Sequence, residues 1–350
     1  MTVEEAPPVT RFSIPPGSDA TAPPERRGVP RDGVRLLVAQ PGLVEHRRFH
    51  DLPDLLEPGD LVVVNISATL PAAVDGRRAD GRRAVIHVSS ALDQGRWVVE
   101  VRRPDGNGPD PTVQKGEILR LPGAIRLRLA AHYPDPTTAV TRLWRADVMP
   151  PSPLPAYLGA HGRPIRYGYV RKRFPLVDYQ SVFATDPGSA EMPSAGRPFT
   201  AALVVRLITR GIVVAPVVLH AGVSSPELHE PPTPERFQVP ASTARLVNAT
   251  RAAGSRVVAV GTTVARALET VAETGGTVHP GNGWTGLVLG PDRPARTVTG
   301  LVTGLHAPEA SHLLLLEAVA GPPLVEVAYR AAVEHGYLWH EFGDATLFLP

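Results

Sequence analysis

The sequence predicts an α/β protein: a larger α/β domain with a mainly parallel sheet, interrupted by a smaller antiparallel β-barrel. Three changes of pattern along the 350 residues carry this reading. Short apolar runs come first. A stretch of alternating runs with no helical period follows, and after a proline cluster helical stretches alternate with buried strands. Period-2 alternation broken by turns marks half-buried strands, whereas helices alternating with apolar strands mark a parallel sheet covered by helices.

Residues 1–31 are rich in proline and poor in periodic apolar residues, the pattern of an extended arm. From Arg35, RLLVAQPG and DLVVVNISATLPA read as short strands on either side of FHDLPDLLEPGD, a turn-and-helix stretch stopped by Pro58-Gly59. Between Val74 and Val148 the runs AVIHVSS, RWVVEVRR, EILRLPG, IRLRLAAHY and AVTRLWRAD are separated by DG, GNGPDP and similar turns. Closely spaced strands with no helix between them predict an inserted barrel over 74–148, which leaves 1–73 and 149–350 to the α/β domain. After MPPSPLPAYLG, TAALVVRLITRG precedes IVVAPVVLHAG and TARLVNATRAAG precedes RVVAVG; TTVARALETVAETG follows, and TGLVTGLHAP leads into EASHLLLLEAVAG. Ligands of open α/β sheets lie outside the carboxyl ends of the strands, so the loops there are the place to look.

Composition narrows the chemistry. Cysteine is absent, which excludes disulfides, thiolate nucleophiles and cysteine-ligated metal centres. The formal net charge is only +2, so a nucleic-acid surface would have to be a local patch. Lys115 and Lys172 are the only lysines, an arginine bias that fits genomic base composition as well as function. The opening MTVEEAPPVTRF lacks the basic-then-apolar run of a secretory signal, and no apolar stretch reaches the ~18 residues of a membrane span. The expected location is therefore cytoplasmic, without membrane association. No HxxxH or HxH spacing points to a metal, and no glycine-rich phosphate loop follows a first strand.

Three strand-to-loop junctions carry polar groups: His220 after VVL, Thr262 and Thr263 after VVAVG, and His306 after LVTGL. Each alone has a structural explanation, since a histidine ending a strand is often simply hydrogen-bonded and threonine is an ordinary helix cap. Their convergence on neighbouring loops makes a site. Gly261 allows a tight turn, with Thr262 or Thr263 capping the helix, and Arg266 falls near its positive start. A cation there calls for a bound anion or for a carboxylate elsewhere, Glu269 at i+3 included. DYQSVFATDPGSAEMPSAG supplies Asp178, Tyr179 and Gln180, and Gly343-Asp344 precedes a terminal apolar strand. Arg77, Arg78, Arg82 and Arg83 form one basic cluster. Arg163, Arg166, Arg171, Lys172 and Arg173 form a second, with Tyr167 and Tyr169 interleaved as base-stacking groups.

RLLV, FHDLPDLLEPGDLVVVN, DYQSVFA, PSAG, LHAG, RVVAVGTTVARALE, GWTGLVLGPD, HAPEASHLLLLEAVAG and FGDATLFL follow one another in a familiar order and spacing. Over most of its length the chain resembles the S-adenosylmethionine:tRNA ribosyltransferase-isomerase family of queuosine biosynthesis. The resemblance implies an α/β domain interrupted by a small barrel. It also implies S-adenosylmethionine as co-substrate without a metal, and the anticodon region of tRNA as partner. The implied reaction transfers and isomerises the ribosyl group onto the aminomethyl group of a 7-deazaguanine, preQ1, to give epoxyqueuosine with release of adenine and methionine. On that basis His220 and His306 are candidate bases, and Asp178, Asp344 and Tyr179 candidates to assist adenine's departure. Arg266 would bind the methionine carboxylate with Thr262 and Thr263. Gln180, Gly222, Gly261 and Glu269 complete the implied binding set.

The chain departs from the family pattern at several places. GLHF reads Gly196-Arg197-Pro198-Phe199, TNFHLP reads Thr303-Gly304-Leu305-His306-Ala307-Pro308, and HVGxGTF reads His220-Ala221-Gly222-Val223-Ser224-Ser225-Pro226. NNTRVxPAR becomes NISATLPAAV, and YRFFSYGD becomes Tyr337-Leu338-Trp339-His340-Glu341-Phe342-Gly343-Asp344. Lost cations bear on tRNA more than on S-adenosylmethionine. Two other readings stay open: a paralogue that cleaves or rearranges S-adenosylmethionine for a small-molecule acceptor, and an inactive binding module.

Overall fold

A computed structural model describes residues 8–105, 108–137, 142–223, 232–308 and 310–350. Its largest element is a nine-stranded sheet with the order Gly281–Thr285, Glu235–Val239, Val213–Leu219, Leu61–Asn65, Val257–Val260, Gly300–Gly304, Ala345–Phe348, Arg35–Gln40 and Leu43–Arg48. Leu61–Asn65 and Val257–Val260 are buried at every position, which explains why they read as unbroken apolar runs. Side chains alternate between two cores. Leu37, Leu61, Val63 and Ala259 face the layer of Val264, Leu268, Leu316, Tyr329 and Trp339, whereas Leu36, Val62, Val64 and Val258 face Phe49, Leu52, Phe199 and Leu203.

The α/β class with an inserted barrel is as the periodicity predicts, but the sheet is mixed. Parallel pairing is confined to Val213–Leu219 through Gly300–Gly304 and to Arg35–Gln40 against Ala345–Phe348. The remaining four pairings are antiparallel. One reason is local: Pro41 and Gly42, with φ 75° at the glycine, join Arg35–Gln40 to Leu43–Arg48, and so short a turn can only return a strand antiparallel.

The barrel is closed and wholly antiparallel, formed by Leu143–Met149, Arg96–Arg102, Arg83–Leu92, Ala73–Arg77, Ile118–Arg120 and Arg126–His132 in that order. Part of the GNGPDP turn, Gly106 and Asn107, lies outside the described residues. Ile86, Val88, Trp97, Val99, Leu127 and Leu129 fill the barrel interior. On the outer face of the same strands lies a buried charged cluster: Glu100 is fully buried and accepts from Arg102 at 2.8 Å and Arg142 at 2.5 Å, with His87 at 3.4 Å. Burial alone would raise the Glu100 carboxyl, but hydrogen bonding to His87 and the charges of Arg142 and Arg102 hold it at about 2.

The N-terminal arm lies along the α/β domain. Val9 and Thr10 donate backbone N–H groups to Glu317 at 3.1 and 2.7 Å, and Phe12 packs against Tyr329 and Trp339 at centroid distances of 4.8 and 5.4 Å.

Glu269 sits at the end of Thr262–Thr270 and is 1 % exposed. Its carboxylate accepts the backbone N–H groups of Arg296, Thr297 and Val298 at 2.8 to 3.0 Å and the Arg293 guanidinium at 3.2 Å. Glu269→Ala leaves these donors buried without a partner and is expected to cost about 3 to 5 kcal/mol, read by urea denaturation. The Glu100 cluster supplies a second expectation. Because the folded carboxyl titrates below the unfolded one, its contribution is complete above the ordinary carboxylate range and is lost as pH falls toward about 2. Glu100→Gln should therefore lower stability at neutral pH and flatten its dependence on pH in that acid window, measured by denaturant titration.

Candidate active site

The central strands end on one side of the sheet, and there lies a cavity of about 360 Å³ whose lining includes Arg142, just before the barrel strand Leu143–Met149. Gly261 makes its floor possible. Its φ of 95° and ψ of 155° belong to a region that side chains rarely enter, and a Cβ there would meet the Ala195 Cβ at 3.3 Å. Its N–H donates to Val302 O at 2.7 Å, and the chain then turns directly into Thr262–Thr270. Gly261 itself is the N-cap, so neither threonine caps the helix. Thr262 and Thr263 instead occupy its first turn and line the cavity, with Asn65 Nδ2 donating to Thr263 Oγ1 at 3.3 Å.

Asn65 fixes the neighbouring junction as well. Its side chain donates to Leu219 O at 2.8 Å and accepts from Leu219 N at 3.1 Å and Ser67 N at 3.0 Å. The two strand ends are thereby locked in register. Beyond them Ala221, Gly222 and Val223 form cavity wall, while Ser224, Ser225 and Pro226 lie outside the described residues.

Arg266 lies one turn into the helix and lines the cavity, but its guanidinium is engaged by protein. It forms an ion pair with Glu235, donates from Nε to Leu287 O at 3.0 Å and from Nη2 to Thr285 O at 3.2 Å. The compensating anion is thus a carboxylate, supplied by Glu235 and not by Glu269. The other oxygen of Glu235 accepts the Gly222 N–H at 2.7 Å. Arg266 thus ties the helix start to the Gly222 loop, and the expected grip on a methionine carboxylate would fall to a guanidinium that Glu235 already engages.

The two histidines part company. His306 lines the cavity, pairs through Nε2 with Thr303 Oγ1 at 2.9 Å and stacks on His312 at 4.4 Å. Burial, and then the adjoining His312 and His340, push its pKa well below the usual imidazole value. Burial and Arg266 lower His312 to about 4. Both rings are neutral at physiological pH. His220 is not a wall of the cavity. Its Nδ1 meets Ser67 Oγ at 2.7 Å, Ser67 meets Ser189 at 2.6 Å, and the ring packs so closely on Gly188 that a Cβ there would come within 2.3 Å of it. It is the hydrogen-bonded, strand-ending histidine that the sequence also allowed.

Several other expected residues are engaged by partners within the protein. Asp178 pairs with Arg26 at 3.2 Å, and Gln180 clamps both backbone groups of Thr69 at 2.8 and 2.9 Å. Asp344 accepts from Arg35 N, Arg35 Nε and Leu338 N at 2.8, 3.1 and 2.9 Å, which leaves it holding the last strand to the first. Glu269 faces the 296–298 segment, away from the cavity. Tyr179 does line the cavity, and burial raises its hydroxyl pKa.

Residues not expected at the site complete it. Tyr167 and Tyr169, read from sequence as base-stacking groups interleaved with the basic cluster, turn inward, donating to Glu191 and Glu341 respectively. Their rings stack at 6.1 Å, and Tyr169 also stacks on His340 at 4.2 Å. Burial drives the Glu341 carboxyl up to about 7, against the Tyr169 hydrogen bond and with the help of Glu191. The signal in the sequence was the departure at Trp339-His340-Glu341 from the family pattern. Of the basic clusters, Arg78 is buried in ion pairs with Glu117 and Asp110 and Arg82 pairs with Asp80, whereas Arg166, Arg171, Lys172 and Arg173 are exposed beside the inward tyrosines.

A family model described as queuosine biosynthesis protein matches residues 10–348. The S-adenosylmethionine:tRNA ribosyltransferase-isomerase of Moorella thermoacetica is 36% identical over 97% of this chain and 98% of its own. That of Symbiobacterium thermophilum is 36% identical over 91% of this chain and 94% of its own. The crystal structure of S-adenosylmethionine tRNA ribosyltransferase from Thermotoga maritima superposes with a TM-score of 0.52 at 30% identity, covering 96% of this chain and 98% of that one. With its sequence and its fold both matched over nearly their full length, the chain belongs to the queuosine biosynthesis protein family.

Proposed function

We propose that the chain is an S-adenosylmethionine-dependent ribosyltransferase-isomerase acting on tRNA. It moves the ribosyl group of S-adenosylmethionine onto the aminomethyl group of preQ1, gives epoxyqueuosine, and releases adenine and methionine. The observation that carries this reading is the cavity walled by the Gly261–Thr263 turn and His306 in a chain that matches the family from residue 10 to 348. A site of this chemistry must accept a proton from the 5′ carbon, which the neighbouring sulfonium acidifies. His306 supplies a neutral imidazole on the cavity wall, oriented by Thr303 and by its stack on His312. Thr262 and Thr263 offer hydroxyls at a helix start, where partial positive charge favours an anionic group such as the methionine carboxylate. Arg171, Lys172 and Arg173 form an exposed cationic run, suited to phosphates, that follows the cavity-lining Tyr169 in the chain.

Purified protein given S-adenosylmethionine and preQ1-bearing tRNA should release adenine and methionine only when both are present. Release that needs a small metabolite in place of tRNA would move the acceptor to the paralogue reading, and silence throughout would leave a binding module. His306→Gln should lower the turnover number by about 10² to 10⁴-fold while S-adenosylmethionine affinity, read by calorimetry, stays nearly constant. Because the His306 pKa lies well below the usual imidazole value, wild-type activity should show no loss attributable to it as pH falls through the ordinary histidine range. For tRNA, log affinity should fall against log salt with a slope of about 0.7 to 0.9 per phosphate neutralised, and Arg171→Ala with Lys172→Ala should make that slope shallower. A flat salt dependence would remove tRNA as the acceptor.

A further inference from the structure

The cavity contains a carboxyl group that the reading so far does not use. Glu341 lines it, and among the described residues its hydrogen-bond partner is the hydroxyl of Tyr169, with no ion pair to an arginine, lysine or histidine. Other cations at the cavity already have carboxylates of their own: Arg142 pairs with Glu100 and Arg266 with Glu235. His340, next in the chain, pairs with Asp19 at 3.1 Å, and burial keeps its ring neutral.

The placement of Glu341 says which substrate it meets. Its partner Tyr169 lies within the Arg163–Arg173 segment, whose Arg166, Arg171, Lys172 and Arg173 are exposed, so one loop presents cations to solvent and the tyrosine to Glu341. A polyanionic acceptor held on those cations would deliver its reacting group past Tyr169 and onto Glu341.

We propose that Glu341 is the acceptor-side base: its carboxylate binds the protonated primary amine of the acceptor and takes a proton from it as the amine attacks. This rests on the transferase reading above. At neutral pH an aminomethyl group is mostly an ammonium ion, which has no lone pair to donate. One proton passes from the nitrogen to a Glu341 oxygen, leaving a carboxylic acid. The freed lone pair forms the new N–C bond to the ribosyl-derived carbon, and the electrons of the carbon's broken bond leave with its departing group. The Tyr169 hydroxyl, donating to Glu341, orients the carboxylate for this exchange, and Tyr179 and Glu191 are the other titratable groups that face it. Burial and the negative charge of Glu191 keep the carboxyl basic enough to accept a proton, against the Tyr169 hydrogen bond.

The experiment compares wild type with Glu341→Gln and Glu341→Asp, using S-adenosylmethionine and preQ1-bearing tRNA, with thermal melts to establish that each variant is folded. In wild type, kcat/KM for the acceptor should rise as pH passes through about 7, where the carboxyl ionises. Glu341→Gln should lower that kcat/KM by about 10²-fold and abolish the rise, while the Kd for S-adenosylmethionine alone changes by less than about threefold. Glu341→Asp should keep the rise at reduced rate. A folded Glu341→Gln protein that keeps wild-type acceptor kinetics, or that loses S-adenosylmethionine binding instead, would overturn the assignment. Wild-type protein inert toward this tRNA would be a different result, since it removes the transferase reading itself and this proposal with it.

Discussion

The shape of the cavity depends on one carboxylate. Glu235 faces Arg266 with one oxygen and the Gly222 N–H with the other, so a single side chain joins the helix that starts at Thr262 to the loop that follows Val213–Leu219. Arg266 is only 7 % exposed, and a guanidinium so placed needs both a countercharge and partners for its remaining protons. The carbonyls of Leu287 and Thr285 provide the latter, which brings a third segment into the same junction. Remove the carboxylate and a buried cation is stranded at the point where three cavity walls meet.

Much of this architecture was legible in the sequence, because periodicity reports burial. Alternating runs between Val74 and Val148 mark barrel strands whose inward residues, such as Ile86, Val88 and Val99, form one core. Strand direction was less legible. A run such as ATLF is equally apolar in either direction, and its antiparallel pairing with Gly300–Gly304 depends on the path of two intervening helices. The site was legible only in outline. His220 and His306 look alike as histidines that end apolar strands, and what separates them is the company brought from elsewhere: Ser67 and Gly188 around one, His312 and the open cavity around the other. Arg266 finds its partner 31 positions away, and Tyr167 and Tyr169, flanked by arginines, gave no local sign that they turn inward.

The barrel also takes part in the site. Arg142, held by the buried Glu100, donates to Val223 O at 3.2 Å and lines the cavity, while Ser89 accepts the Val223 N–H at 3.0 Å. Both backbone groups of Val223 are thus fixed by the inserted module. Because the barrel is closed and its charged cluster is buried on the outer face that meets Val223 and Tyr167, it acts as a stiff abutment for a loop that the α/β sheet alone would hold from one side.

One of the sheet's two edge strands, Leu43–Arg48, has a neighbour on one flank only and so exposes a row of unpaired backbone groups. Such a row is a template on which another molecule could add a strand. Glu45, His46, Arg47 and Arg48 occupy it, and a second copy laid alongside would have to strip water from closely spaced cations facing their equivalents. The barrel, closed on itself, offers no such row at all. Closure thus removes the hazard in the barrel, and charge opposes it along the Leu43–Arg48 edge of the sheet.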